Sequence, residues 1–297
     1  MRTNKLILFF VTSFILAGCA AEPTTANTPM PSATNTSMPT VTNTAVPTAK
    51  NTPTAITTFG TMVSDVDGMT LVNVPAGEFE MGSEDQDEDE SPVHTVWLDE
   101  YWIDQTEVTN ALYQQCVESG SCDPPAAWYY HGDNLYRDYP VRLVRWYDAR
   151  DYCEWAGRRL PTEAEWEKAA RGGLEGMKYS WGNEAPVCTK DAENGASFGL
   201  PDGSTAMEVG SFAPNGYGIY DMAGNVWEWV ADWYGEDYYN RSPYENPYGP
   251  SSGEYRVWRG GSWFDSDNHL RVAERVPSAP FYRYDFLGFR CALSPQQ

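Results

Sequence analysis

A mixed α/β, loop-rich single domain with little regular secondary structure is the fold class this sequence predicts. Three observations carry it. The chain holds 12 tryptophans and 19 tyrosines. Its apolar runs are short, and its 25 glycines are spread throughout rather than clustered. Together these describe a core built from aromatic rings and loops, with short strands and a few helices.

The elements follow in order. Leu71-Val72-Asn73-Val74, followed by Pro-Ala-Gly, reads as a strand and turn, with a second short strand through Phe79 to Met81. His94-Thr95-Val96-Trp97-Leu98 alternates like a third. Thr109 is placed to cap a helix over Asn110 to Glu118 that Gly120 ends. Trp146, Ala149, Cys153 and Ala156 recur at helical spacing, with Gly157 as the stop. Thr162 opens a capping box with Glu165, and Trp166, Ala169 and Ala170 form the buried stripe of an amphipathic helix stopped at Gly172-Gly173. Beyond Gly173 the pattern turns to loops and short strands rich in Gly, Pro and Tyr.

The N-terminus is of another kind. Arg2 and Lys5 precede an apolar run from Leu6 to Leu16, too short for a comfortable membrane span. Leu16-Ala17-Gly18-Cys19 resembles a bacterial lipobox. Residues 1–18 are therefore expected to be a lipoprotein signal peptide and Cys19 the lipidated residue. An ordinary secretory signal is the alternative. A multiply acylated cysteine is a lasting anchor, at about 0.8 kcal/mol per buried CH₂. Residues 19–60 are mostly Thr, Pro, Ala, Asn and Ser, with Glu22 and Lys50 the charged ones, and cannot bury enough apolar surface to fold. They read as a tether of roughly 35 Å if it behaves as a flexible coil. Residues 61–297 remain for the folded domain. The expected setting is the bacterial cell envelope, lipid-anchored and outside the cytoplasm, as a monomer.

Net charge is −22, and Glu84 to Glu90 is an almost unbroken acidic run. Nucleic acid is excluded as a partner by this sign, because phosphates demand a basic face. The acidic run reads as a solvated loop. Six cysteines suit an oxidising compartment. Cys116 and Cys122 lie at a helix end and are placed to close a small loop.

NGYGIYDMAGNVWEW (Asn215 to Trp229), RGGSWFDSDNHLRVAERV (Arg259 to Val276) and LGFRCAL (Leu287 to Leu293), in this order and with the helical segment Asp151 to Gly173, resemble the sulfatase-modifying-factor, or formylglycine-generating enzyme, family. The resemblance covers Met69 to Leu293 and implies that family's fold, which is related to the C-type-lectin type. It implies a Cys153–Cys291 disulfide, which leaves Cys188 expected as a free thiol. The family's founding enzymes oxidise a cysteine to formylglycine with two copper-holding cysteines just after the Gly-Gly-Ser-aromatic motif. Here that first position is Asp265, and no cysteine lies between Ser262 and Cys291. Copper is accordingly not expected.

Asp221 and Glu228 lie seven residues apart around a glycine, so their oxygens can converge on a hard cation, which needs six to eight oxygen ligands. The resemblance implies calcium here, held by the side chains of Asp221 and Glu228 and the carbonyls of Gly224 and Val226. The alternative is an aromatic-rich turn whose carboxylates pair with arginines. A second family calcium site would use Asn194 and Asp202. At the family pocket the candidates are Ser262, Trp263, Asp265, His269 and Arg271. Asp265, Asp267 and His269 offer ligands to iron or manganese, but loop residues paired with Arg271 and Arg275 are the stronger reading. Asp237 to Pro250 is a tyrosine-rich loop whose rings either pack the domain, the favoured reading, or recognise sugar or peptide.

Three functions compete. A binding module would hold a peptide, protein, glycan or cell-envelope ligand in the family groove, formed by Ser262, Trp263, Arg271 and the tyrosine loop. An oxidoreductase of the same family would act through a different metal. A structural lipoprotein would assist a complex. The lost cysteines count against formylglycine formation and leave binding untouched.

Overall fold

The core is split by two open sheets whose alternating residues face opposite apolar clusters. The structure, a computed structural model, describes residues 60–126, 134–190, 192–201 and 205–294, all within one compact unit. The signal peptide, Cys19 and the tether lie outside these residues, as does Asp202.

In the first sheet, β1 (Thr61–Val63), β2 (Thr70–Val74), β5 (Tyr101–Asp104) and β10 (Ala292–Leu293) pair antiparallel in that spatial order. β3 (Gly77–Met81) and β4 (His94–Leu98) form a separate hairpin. The second sheet has the order β8 (Val276–Ser278), β7 (Arg256–Arg259), β6 (Trp227–Trp233), β9 (Leu287–Phe289), with β6 and β9 parallel. Period-two alternation sends Trp227, Trp229 and Trp258 to a cluster with Tyr113, Tyr152 and Phe289. It sends Val230 and Val257 to the other, with Trp166, Tyr101 and Ile103. Among the described residues no helix is long and apolar enough to cross a membrane.

Among the described residues the three α-helices are those the local signals indicate. In α1 (Asn110–Glu118) the Thr109 hydroxyl accepts from the Leu112 amide at 3.3 Å. α2 (Trp146–Trp155) carries Cys153, which bridges to Cys291 beside β10 with Cα atoms 5.6 Å apart. In α3 (Glu163–Arg171) Thr162 and Glu165 exchange side-chain and backbone bonds at 3.1 and 2.8 Å, and Gly172 closes the helix at φ 57°. The Cys116–Cys122 bridge is also present. Cys188 is disulfide-bonded rather than a free thiol, with its partner outside the described residues.

The structure departs from the sequence reading at α3. An amphipathic helix should show water a charged face, yet all nine residues of α3 are buried. Arginines from distant segments cover that face. Glu163 accepts from Arg259 (3.2 Å) and Arg275 (2.7 Å), and Glu167 from Arg259 (2.6 Å) and Arg171 (2.7 Å). Arg259 also donates to the carbonyls of Val272 and Ala273. Buried charges are tolerated when they are paired and their remaining hydrogen bonds are largely met; here both terminal nitrogens of Arg259 are satisfied and, among the described residues, its Nε is not. The acidic run is likewise not wholly solvated: Glu84 to Glu88 are exposed, but Glu90 is fully buried on Arg271 at 2.6 Å.

Candidate functional site

The Asp221 to Glu228 segment turns sharply because three consecutive-range positions adopt left-handed backbone: Asp221 at φ 58°, Gly224 at 84° and Asn225 at 61°. A Cβ on Gly224 would run into the Ser197 carbonyl, so glycine is required there. The turn delivers Glu228 into the core, where Arg290 grips it through Nη2 (2.7 Å) and Nε (2.8 Å) and the Trp166 indole donates at 2.8 Å. Asp221 accepts from the Gly210 amide at 2.6 Å.

Sequence reasoning missed a third carboxylate. Glu107, just before α1, is fully buried and meets Asp221. Its Oε1 accepts from the Asn225 side-chain amide at 2.9 Å, while among the described residues its Oε2 has no hydrogen-bond partner. Burial, with Asp221 beside it, pushes Glu107 well above the usual carboxylate range, and burial also raises Asp221. Glu107, Asp221 and Glu228 set three carboxylates against the single guanidinium of Arg290. An orphaned buried oxygen next to a second acid is what a hard cation would satisfy, so Glu107 and Asp221 fit calcium, whereas both oxygens of Glu228 already accept from Arg290 or Trp166. The side-chain oxygens alone do not converge as a tight trio. Asp87, Glu90 and Glu274 do, with one oxygen each within 4.8 Å of one another, but Arg271 already bonds all three. Asn194, proposed for a second site, donates to the Ala185 carbonyl at 2.8 Å. Asp202, its proposed partner, lies outside the described residues.

At the Gly-Gly-Ser segment, left-handed Gly261 packs against the His269 carbonyl and Ser262 is fully buried. Ser262 Oγ and the Trp227 indole (2.8 Å) both donate to Asp265 Oδ2, fixing the carboxylate where the resemblance places a cysteine. His269 is half exposed and its Nδ1 meets Glu274 at 3.0 Å, a contact that raises the histidine pKa. Among the described residues Asp265, Asp267 and His269 do not bring three ligand atoms together. Trp263 and Arg271 are not groove residues in the expected way. Trp263 packs with Ala206 and Val226, and Arg271 is buried among Glu90, Glu274 and Asp87. The tyrosine loop is also divided. Tyr238 and Tyr239 are buried, whereas Tyr244 and Tyr248 reach the surface against β3 and β4.

What does flank Asp265 is a row of rings. Phe264, 51% exposed, lies parallel to Phe286 at 6.4 Å, and Phe286 to Tyr284 at 5.0 Å. Tyr282 and Phe281 continue it at 5.7 and 4.9 Å, and Trp258 braces it edge-on from below. Phe264, Phe281 and Tyr282 are exposed, while Tyr284 and Phe286 are half-buried against the core.

Few helices, two open four-stranded sheets and a left-handed glycine-glycine turn that buries Ser262 against Asp265 describe a mixed α/β domain of the formylglycine-generating-enzyme type. The chain belongs to the sulfatase-modifying factor enzyme 1-like domain family, whose model matches residues 58–295. It is similar to the formylglycine-generating enzyme of Streptomyces coelicolor, 38% identical over 277 residues, 74% of this chain and 88% of that protein. It is 40% identical over 242 residues to the serine/threonine-protein kinase pkn1 of Chlamydia pneumoniae, covering 75% of this chain and only 37% of the kinase. Among solved structures it matches Treponema denticola variable protein 1 with a TM-score of 0.64 and 30% identity, over 80% of this chain and 99% of that one.

Proposed function

We propose that this is an envelope domain that binds an extended peptide or glycan along the Phe264–Phe281 row, and not a copper-dependent formylglycine oxidase. The exposed row beside a hydrogen-bonded Asp265 is the observation that carries this reading. A carboxylate held by two donors is poorly placed to act as a soft copper ligand, which thiolates provide, and the rings need no metal to bind. A family fold does not fix a reaction, and the family's relatives already include a formylglycine-generating enzyme and a kinase. The kinship to the C-type-lectin fold belongs to this same binding reading. The purified chain, with added copper, is expected to leave a Cys-x-Pro-x-Arg peptide unconverted; a formylglycine product in the mass spectrum would overturn this. Phe264→Ala with Tyr284→Ala is expected to abolish hits on glycan and peptide arrays, and unchanged hits would remove the row from the site.

The reading includes a lipid anchor at Cys19 and a position outside the cytoplasm. The two described bridges account for four of the six cysteines. Mass mapping of the Cys19 peptide tests the anchor: a lipid-bearing thioether is expected, and an unlipidated cysteine would remove it from the reading.

It also includes calcium at Asp221 and Glu228 with the Gly224 and Val226 carbonyls, and adds Glu107. Bound calcium at a hundredfold excess over Kd would contribute about 2.7 kcal/mol, or about 5–10 °C in Tm for a domain this size. Chelation is expected to remove that increment. Glu107→Gln distinguishes the cation from mere repulsion: it should lower Tm in calcium and raise it in chelator. The same sign in both conditions would exclude the site. The pH dependence follows from the raised pKa values of Glu107 and Asp221. The calcium-free domain gains stability as pH falls and protons replace the cation, so the calcium increment should shrink towards acid.

A further inference from the structure

We propose that a second cavity, remote in sequence from the Gly-Gly-Ser segment, is a subsite for a cationic side chain of a peptide. This cavity, of about 400 Å³, lies between the end of β4, the start of α3 and the tyrosine loop. Its floor is apolar, from Leu98 and Pro247, both buried. Its wall is Tyr248, 63% exposed, on which no other ring or cation stacks among the described residues. Its rim carries the exposed carboxylates of Asp99 and Glu100, neither of which has an ion-pair partner among the described residues.

The remaining charges at the cavity cancel. Arg159 donates to both oxygens of Glu165 at 2.6 Å and to the Ser294 hydroxyl at 2.8 Å. That leaves Asp99 and Glu100 as the net charge facing the space. The loop is fixed rather than adaptable. Asn246 Oδ1 accepts from the Asp99 amide at 2.9 Å, its Nδ2 donates to Asp99 Oδ2 at 3.0 Å, and its backbone amide donates to the Trp97 carbonyl at 2.8 Å. An aliphatic stem would lie on Leu98 and Pro247, with its cationic head between the ring face and the two carboxylates. Aromatic faces and carboxylates both attract cations, and the net charge of −22 raises the local concentration of basic ligands. Lysine and arginine share this chemistry. The site accounts for the exposed part of the tyrosine loop, which the aromatic row leaves unused.

The test is a two-dimensional NMR titration of the purified protein with acetyl-Gly-Lys-Gly-amide, its arginine counterpart, and the neutral norleucine counterpart. The expected result is saturable shifts at Tyr248, Asn246 and Glu100 for one or both basic peptides and none for norleucine. Affinity should fall on raising salt from 20 to 500 mM, as exposed charges are screened. Tyr248→Ala should weaken binding about threefold, the scale of an exposed cation–π contact. Asp99→Asn with Glu100→Gln should weaken it roughly tenfold through the lost charges. Equal shifts with norleucine, unaltered affinity in the double variant, or shifts confined to Phe264 and Tyr284 would each overturn the proposal. Both positions changed in the double variant are exposed, and an unchanged melting curve confirms that the fold is retained.

Discussion

Replacing Cys153 and Cys291 together by alanine is expected to destabilise the domain by about 5 kcal/mol, the loop-entropy value for closing a loop of well over a hundred residues. The bridge spans 138 residues and ties α2 to the strand end at β10. In a thermal melt this should appear as a Tm lower by ~10–20 °C. The companion bridge, Cys116–Cys122, spans only 6 residues, and its removal should cost about 2 kcal/mol by the same relation. Equal losses from the two double variants would show that loop closure is not the origin of the effect.

Arg259→Met is expected to be as damaging by a different route. Arg259 is fully buried and joins Glu163 to Glu167, so its loss strands carboxylates inside the core. Breaking a buried pair in this way costs about 3–5 kcal/mol. Glu163 keeps Arg275 and Glu167 keeps Arg171, so the loss should fall most on Glu167 Oε2, whose contact is Arg259 at 2.6 Å. Adding Glu167→Gln to Arg259→Met should therefore recover part of the urea midpoint. A cost below about 1 kcal/mol for the single variant, the range of exposed pairs, would mean that this lattice does not hold α3 in place.

These two features differ in how far the sequence announces them. The helix starts at Thr109 and Thr162 were legible because capping is written within four residues, and the structure places both caps as expected. The strands β3 and β4 were legible because one face alternates, though their pairing was not. Strand β6 was not. Its sequence WEWVADW is buried on both faces, and Glu228 in its middle, legible as a calcium ligand or as half of an arginine pair, is held by Arg290 from 62 positions away. The charged side of α3 was misread for the same reason: its partners Arg259 and Arg275 lie 92 to 112 positions on. Local pattern carries no record of such pairings.

The candidate site divides similarly. The Gly-Gly-Ser motif marks a turn whose left-handed glycines bring Ser262 onto Asp265. Trp263 and Arg271, taken as groove residues, turn inward because Val226 and Glu90 arrive from elsewhere in the chain. Glu107 carried no signal at all, sitting in a Glu-Val-Thr-Asn string that looks only like the approach to a helix. The ring row was hidden too, because Phe264 and Tyr284 meet only through the fold.

The placement of the long bridge has a mechanical consequence. A chain held by its N-terminal side and pulled through a ligand would load β1 first, a three-residue edge strand paired only to β2. Peeling could then run through β2 to β5 and reach β10, whose neighbour is Cys291. There it would stop extending. The covalent lock between Cys153 and Cys291 removes 138 residues from the stretchable contour, on the order of 480 Å at full extension. The first sheet and the β3–β4 hairpin would give way as a short, limited yield, and most of the aromatic surface, together with the second sheet, would stay enclosed within the locked span.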